Sequence, residues 1–190
     1  MFARTARLLL RPGWAEDAPA LTAAIADPAI VQNLTRAPWP YTEDDARAYL
    51  AGAQWAALPD FLIVKRTRGA PQLIGGCGIS LQDDGTPELG YWIARRYWGL
   101  GFATEAASAV MQIARTTGLG RIHASHFLDN PASAGVLRKL GFRSTGRIER
   151  RHSAARGATA ECALFEDAGM RPNRPDPSLE LYRDHAPIAA

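Results

Sequence analysis

The residues from Glu88 to Ala114 constrain the fold of this 190-residue chain more than any other part of it. Glu88-Leu-Gly-Tyr-Trp-Ile-Ala94 reads as a β-strand, and a turn with glycine at 99 and 101 follows it. From Gly101 the pattern becomes helical. Ala103, Ala106, Ala107, Val110, Met111 and Ala114 fall at i, i+3, i+4, i+7, i+8 and i+11, one apolar stripe, and Gly118 provides a C-terminal cap. A strand that passes through a glycine turn into a long helix gathers free backbone N–H groups at the positive end of the helix dipole, an arrangement suited to a phosphate anion. Glycine at 99 and 101 lets the backbone approach that anion with no side chain between.

The rest of the chain supplies the elements such a unit needs. Arg7–Arg11 reads as a first strand ended by Pro12-Gly13, and Glu16–Ala26 as a helix stopped by Asp27-Pro28. After the loop Ala37-Pro-Trp-Pro-Tyr41, Thr42-Glu-Asp-Asp45 has the form of a capping box and opens a helix that runs to about Gly52. Phe61–Arg66 and Leu73–Leu81 read as strands joined by a hairpin at Thr67–Pro71. Arg121–Phe127 is a strand, and Asn130-Pro131 opens a helix that Gly141 ends. Arg143–Arg150 and Thr159–Phe165 are the last strands. The order β-α-α-β-β-β-α-β-α-β-β predicts an α+β or mixed α/β fold, a single domain over residues 1–166 followed by a proline-rich tail, 167–190, that either wraps the domain or is disordered.

Composition excludes several classes. Hydrophobic residues are 47% and charged residues 22%, ordinary for a globular protein, and no apolar run approaches a membrane span. The three leucines near the N-terminus are too few for a signal peptide, which predicts a cytoplasmic protein. Cys77, Cys162 and the four histidines show no metal-ligand spacing, so no metal is expected and the cysteines read as core. A net charge of +3 does not point to nucleic acid. The cluster Arg138, Lys139, Arg143, Arg147, Arg150 and Arg151 is either a solvated face or a cationic rim for phosphates or a ribosomal surface.

Spacing separates the phosphate-binding turns. A P-loop needs GxxxxGK, and no lysine stands here; a dinucleotide turn needs GxGxxG, and its third position is Thr104. Two further blocks accompany the turn: Asn130-Pro-Ala-Ser133 with Leu140-Gly-Phe142, and Thr5-Ala-Arg-Leu-Leu-Leu-Arg11 with Trp39-Pro-Tyr41. Together they resemble the GNAT superfamily of N-acetyltransferases, in particular its ribosomal-protein N-terminal acetyltransferase branch of the RimJ/RimL type, over roughly residues 5–166. The family's pyrophosphate loop, (Q/R)xxGx(G/A), fits as Arg96-x-x-Gly99-x-Gly101 or as Trp98-x-x-Gly101-x-Ala103. The second register is preferred because it starts the helix stripe at once, although Trp98 then stands where Gln or Arg is commonest.

The resemblance implies a GNAT fold with a largely antiparallel, splayed sheet and acetyl-CoA as cosubstrate. Ile93, Ala94, Trp98, Gly99, Leu100, Gly101, Phe102, Ala103, Thr104, Asn130 and Ser133 would hold the coenzyme. An amine would attack the thioester, the Ile93 amide would bind the oxyanion, and Asn130 would bond the pantetheine arm. Leu137 occupies the position of the family's common tyrosine acid, so Ser133 is the candidate to assist the leaving thiolate. Glu88 is the candidate to end a water path for the amine proton. An α-amine with pKa ≈ 7.8 is already about 14% neutral at pH 7, against roughly 0.04% for lysine, so an N-terminal acceptor needs little base. Single residues have plainer readings: Asn130 a helix cap, Glu88 a surface glutamate, Ser133 a first-turn serine. The expected partners are acetyl-CoA and an amine acceptor, possibly a protein N-terminus, with no membrane or direct nucleic acid, in a monomer or homodimer. A small-amine acetyltransferase and a non-catalytic coenzyme sensor are the alternatives. The former would want an acidic pocket, and the loops 34–41 and 150–157 hold few carboxylates.

Overall fold

Period-2 burial in Leu8-Leu-Leu-Arg11 puts Leu8 and Leu10 into the core and turns Leu9 and Arg11 to the other face, as strand geometry requires. A computed structural model describes residues 1–53, 58–67, 69–168 and 179–182. Its elements, in chain order, are β1 (Phe2–Arg4), β2 (Leu8–Arg11), α1 (Ala18–Ile25), α2 (Pro28–Val31), α3 (Glu43–Ala53), β3 (Asp60–Lys65), β4 (Gln72–Leu81), β5 (Pro87–Ile93), α4 (Phe102–Thr116), β6 (His123–Phe127), α5 (Pro131–Lys139), β7 (Phe142–Ser153), β8 (Ala158–Asp167) and β9 (Glu180–Tyr182). The strands form one sheet in the order β7-β8-β6-β5-β4-β3-β2-β1-β9. Among these neighbours β5 and β6 are parallel and the others antiparallel. This is the mixed, mostly antiparallel sheet flanked by helices that the sequence predicts.

Two cores divide the faces. The larger joins Ala106, Val110 and Ile113 of α4 and Leu137 of α5 to Phe61, Ile63, Cys77, Ile79, Leu89 and Ile93 of the sheet. The smaller joins Leu21 and Ile25 of α1, Ile30 and Val31 of α2, and Ala46 and Leu50 of α3 to Leu62. From Cys77 to Ile93, alternation along β4 and β5 sends odd-numbered residues toward α4 and even-numbered ones toward α1 and α3, whereas at the start of β4 Ile74 joins the larger core and Leu73 packs on the smaller. Both cysteines are buried, as expected of core residues.

Several boundaries differ from the sequence reading. Asp27-Pro28 ends α1 but also starts α2: the Asp27 side chain accepts from the Ala29 amide, and Pro28 sits at a first-turn position where no N–H is needed. β1 is too short to show a period. β9 adds three residues of the expected tail to β1, in the register Phe2–Tyr182; tail residues 169–178 and 183–190, like Arg68 in the expected hairpin, lie outside the described residues. The capping box of α3 forms, with Thr42 N–H donating to Asp45 Oδ2 at 2.8 Å and Asp45 N–H to Thr42 Oγ1 at 3.3 Å.

Candidate active site

The parallel ladder between β5 and β6 has two residue pairs, Glu88–His123 and Leu89–Ala124. Beyond them β5 continues to Ile93 and β6 to Phe127, and the strands part. Ala94 donates its N–H to the Ile74 carbonyl at 2.8 Å, toward β4. Successive strand amides point to opposite sides, so the Ile93 N–H faces the gap, and the amide of Ala94 is committed to the sheet. The Ile93 carbonyl accepts the Trp98 indole N–H at 2.6 Å. Trp98 is thus more than a missing Gln or Arg: it ties the turn back to the end of β5.

The turn itself uses its glycines. Gly99 and Gly101 have φ of 75° and 82°, left-handed values that cost other residues energy. Gly101 is the N-cap of α4, with no side chain capping it. The first bond of the helix runs from Glu105 N–H to the Gly101 carbonyl at 3.1 Å, so the amides of Phe102, Ala103 and Thr104 precede it and lack a helical acceptor. Glu105 anchors this first turn to the β1–β2 connection. Its carboxylate accepts from Thr5 Oγ1 at 2.6 Å, from Arg7 N–H at 2.9 Å and from Arg7 Nε at 2.7 Å. Arg7 also donates to the Leu100 carbonyl at 3.0 Å and lies 4.3 Å above the Phe102 ring. Sequence reasoning noted Thr5 and Arg7 only as part of an N-terminal pattern; their partner was invisible there.

Across the gap, the Asn130 side-chain oxygen accepts from the Ser133 amide at 3.4 Å. Asn130 is therefore the N-cap of α5, and its plainer reading holds for that oxygen. Ser133 Oγ lies 2.8 Å from the Tyr91 hydroxyl, which also donates to the Ser133 carbonyl at 3.2 Å. Burial pushes the Tyr91 pKa up to about 12, so the phenol keeps its proton. Leu137 indeed provides no hydroxyl, but Tyr91 on β5 brings a phenol to Ser133 from the other wall. A cavity of about 430 Å³ runs between these walls, lined by Ile93, Trp98, Gly101, Thr104, Asn130 and Ser133 among others.

Glu88 does not stand open. Arg151 Nη1 lies 2.7 Å from both of its oxygens, and Ser125 Oγ donates to it at 2.7 Å. The side chains of Arg151 and Glu88 are only 20% and 12% exposed. Both oxygens of Glu88 therefore accept from a charged donor, a stronger bond than a neutral one. Glu88, the candidate to end a proton path, thus forms a bridge between β5, β6 and β7. Arg151 likewise leaves the supposed basic rim: it faces inward.

On the opposite face a cavity of about 900 Å³ lies beneath α1 and α3. It shares β5 residues Glu88 to Trp92 with the first, so the strand is a common wall. The two loops of low acidity meet at its edge: Ser153 Oγ donates to the Leu34 carbonyl at 2.9 Å, and Ala154 N–H to that of Thr35 at 2.9 Å. The cavity's carboxylates come from elsewhere. Asp45 belongs to the α3 cap and Asp60 to the start of β3, where the Tyr49 hydroxyl is 3.1 Å from each carboxylate oxygen. Burial raises the pKa of Asp60, against the lowering effect of its bonds to Tyr49 and the Phe61 amide. Among the described residues no group of three or more His, Cys, Asp or Glu is arranged to hold a metal ion, and no helix is long and apolar enough to cross a membrane.

A profile of the acetyltransferase (GNAT) domain family matches residues 7–143. An uncharacterized N-acetyltransferase, p20 of Bacillus licheniformis, is 31% identical over 172 residues, which cover 85% of this chain and 92% of that protein. Among solved structures, a GNAT-family acetyltransferase from Bacillus anthracis superposes with a TM-score of 0.73 at 24% identity, over 87% of this chain and 97% of that one. RimL, a ribosomal L7/L12 alpha-N-protein acetyltransferase in complex with coenzyme A, gives 0.71 at 19% identity, over 85% and 94%. MccE, a microcin C7 self-immunity acetyltransferase in complex with acetyl-CoA and AMP, gives 0.70 at 17% identity, over 85% and 92%. These last likenesses are of fold. The strand gap beside a glycine-capped helix thus sits within the matched segment, and the chain belongs to the acetyltransferase (GNAT) domain family and is an acetyltransferase.

Proposed function

We propose that the chain is a RimJ/RimL-like enzyme of the bacterial cytoplasm that transfers the acetyl group of acetyl-CoA to a primary amine, specifically a peptide or protein N-terminal α-amine. The observation that carries the reading is the gap between β5 and β6, which opens after two residue pairs and leads to the turn at Gly99–Gly101. A pantetheine arm fits a gap that offers strand amides along one edge, and a pyrophosphate fits three helix-start amides approached across bare glycine. Acetyl-CoA supplies an activated thioester there.

The chain's own residues divide the remaining work. Phe102, Ala103 and Thr104 present amides to the pyrophosphate, and Arg7 offsets the Glu105 charge that would otherwise repel it. The Ile93 amide donates to the acetyl oxygen, whose charge grows as the amine adds. Ser133 donates its hydroxyl proton toward the departing sulfur, and the Tyr91 phenol then turns its one proton from the Ser133 carbonyl to Ser133 Oγ, 2.8 Å away. Glu88 and Arg151 hold β5 to β7, and the amine proton leaves through water in the larger cavity. An α-amine tolerates that weak base because a useful fraction of it is neutral near pH 7.

Two measurements test the proposal. Acetyl-CoA should raise the melting temperature well above the effect of NADH or ATP, since a ligand of the native state stabilises by mass action. Free-thiol release should be faster with free N-terminal peptides than with N-terminally blocked peptides bearing lysine. An equal shift with NADH refutes the coenzyme; turnover of small amines alone refutes the acceptor.

A further inference from the structure

Among the described residues, two of the larger cavity's carboxylates, Asp45 and Asp60, have no cationic partner. Three carboxylates line it, Asp45, Asp60 and Glu88, together with the guanidiniums of Arg36 and Arg151. Asp45 is committed to Thr42, with its pKa lowered by that hydroxyl and amide, and Glu88 to Arg151. Arg36 is exposed at the edge. Among the described residues, Asp60 receives only the Tyr49 hydroxyl and the Phe61 amide, both neutral donors. Leu21, Ile25, Leu58 and Trp92 share the lining, so this charge has lost part of its water.

The carboxylate also points in a defined direction. Asp60, Gly78 and Gly90 are successive cross-strand partners on the face that lines the cavity. A Cβ built on Gly78 would fall 2.5 Å from Asp60 Oδ1 and 2.9 Å from the Pro59 carbonyl. Glycine at 78 therefore lets the carboxylate lie across β4 toward β5. Gly90 has nothing within 4 Å of such a Cβ, so the floor beyond is bare. Tyr49, reaching from α3 to both oxygens, fixes the orientation.

We infer that Asp60 is the anchor for a second cationic group on the acceptor, distinct from the amine that is acetylated. The inference rests on reading the larger cavity as the acceptor's side of the enzyme. The spacing sets the acceptor's length. From the Asp60 carboxylate to Gly90 is about one strand spacing of ~4.8 Å, and from Gly90 to Ile93 is three residues at ~3.4 Å, so the two ends of the site lie on the order of 10 Å apart. An extended peptide with lysine at its second position places its ε-ammonium at about that distance from its α-amine. A short diamine does not reach, whereas a linear triamine does.

The test measures thiol release from acetyl-CoA by the full chain with peptides that differ only in Lys, Ala or Glu at position two, and with 1,4-diaminobutane and spermidine. Wild type should favour Lys over Ala by about tenfold in kcat/KM and disfavour Glu, with the Lys advantage shrinking as ionic strength rises. Asp60→Asn should bring the Lys/Ala ratio to within about twofold of one, and Tyr49→Phe should reduce it part of the way. If Asp60→Asn does not fold, the Lys-over-Glu preference and its salt dependence in wild type decide the matter. A ratio near one in wild type, or one that survives in Asp60→Asn, overturns the anchor. Turnover of spermidine but of no peptide, with its advantage over diaminobutane lost in Asp60→Asn, keeps the anchor and overturns the N-terminal acceptor. No turnover of any of these acceptors overturns both.

Discussion

Replacing Glu105 by alanine removes one side chain that fastens the start of α4 to the N-terminal hairpin. Three donors lose their acceptor at once: Thr5 Oγ1, Arg7 N–H and Arg7 Nε. They are not equal. Thr5 is 3% exposed, so its bond to a charged acceptor contributes about 1.5–3 kcal/mol. The Arg7 amide is solvent-accessible and contributes about 0.5–1 kcal/mol, since water replaces its acceptor. The Arg7–Glu105 ion pair has side chains 48% and 16% exposed, and after screening it adds less than about 1 kcal/mol. Alanine returns a few tenths through helix propensity. The net loss is about 2–4 kcal/mol, which for a domain of this size lowers the melting temperature by roughly 5–15 °C. Thermal unfolding followed by far-UV circular dichroism measures it. Glu105→Gln, which keeps an acceptor for Thr5, should lose less than half as much. A drop under about 2 °C for Glu105→Ala would refute the idea that this carboxylate holds the turn to the hairpin.

Other variants probe the turn, the leaving-group side and the acid response. Gly101→Val forces a β-branched residue to φ 82° with its Cβ 3.5 Å from Arg7 Nη2, so it should raise the acetyl-CoA Kd at least tenfold by calorimetry; unchanged affinity would remove the pyrophosphate from this turn. Ser133→Ala and Tyr91→Phe should each lower kcat with little change in the acceptor KM, and the double variant should be no worse than Ser133→Ala alone; additive losses would separate the two hydroxyls. Asp17 is pushed up by burial but pulled further down by the Arg11 guanidinium and the Trp14 amide, so its folded pKa lies below the ordinary 3.8. Its contribution is then present above about pH 4 and lost as pH falls through the lowered folded value, so Asp17→Asn should destabilise at pH 7 and the difference should shrink below about pH 4 in acid melts. A pH-independent difference would contradict the ion pair.

What the sequence determined by itself are the features encoded by neighbours in the chain. The strand, the glycine turn and the striped helix of residues 88–114 are local: period, positive φ and helix start are each set within a few residues. The Thr42–Asp45 box, the Asn130-Pro131 helix start and the buried cysteines were legible for the same reason. The short β1, β9 and α2 were not, because three or four residues show no period and gain their order from what they pair with.

The site's chemistry was decided by the tertiary structure. Glu88 and Arg151 are 63 positions apart, Tyr91 and Ser133 42, and Arg7 and Glu105 98. No spacing rule links them; the sheet order does, by setting β5 beside β6 and α5 and bringing β7 within reach. Glu88 looked like an open carboxylate because a sequence shows charges without their partners. Asp60 drew no notice in the sequence because a sequence does not show which charges come to line a cavity. Burial makes pairing decisive, and burial exists only once distant segments have packed.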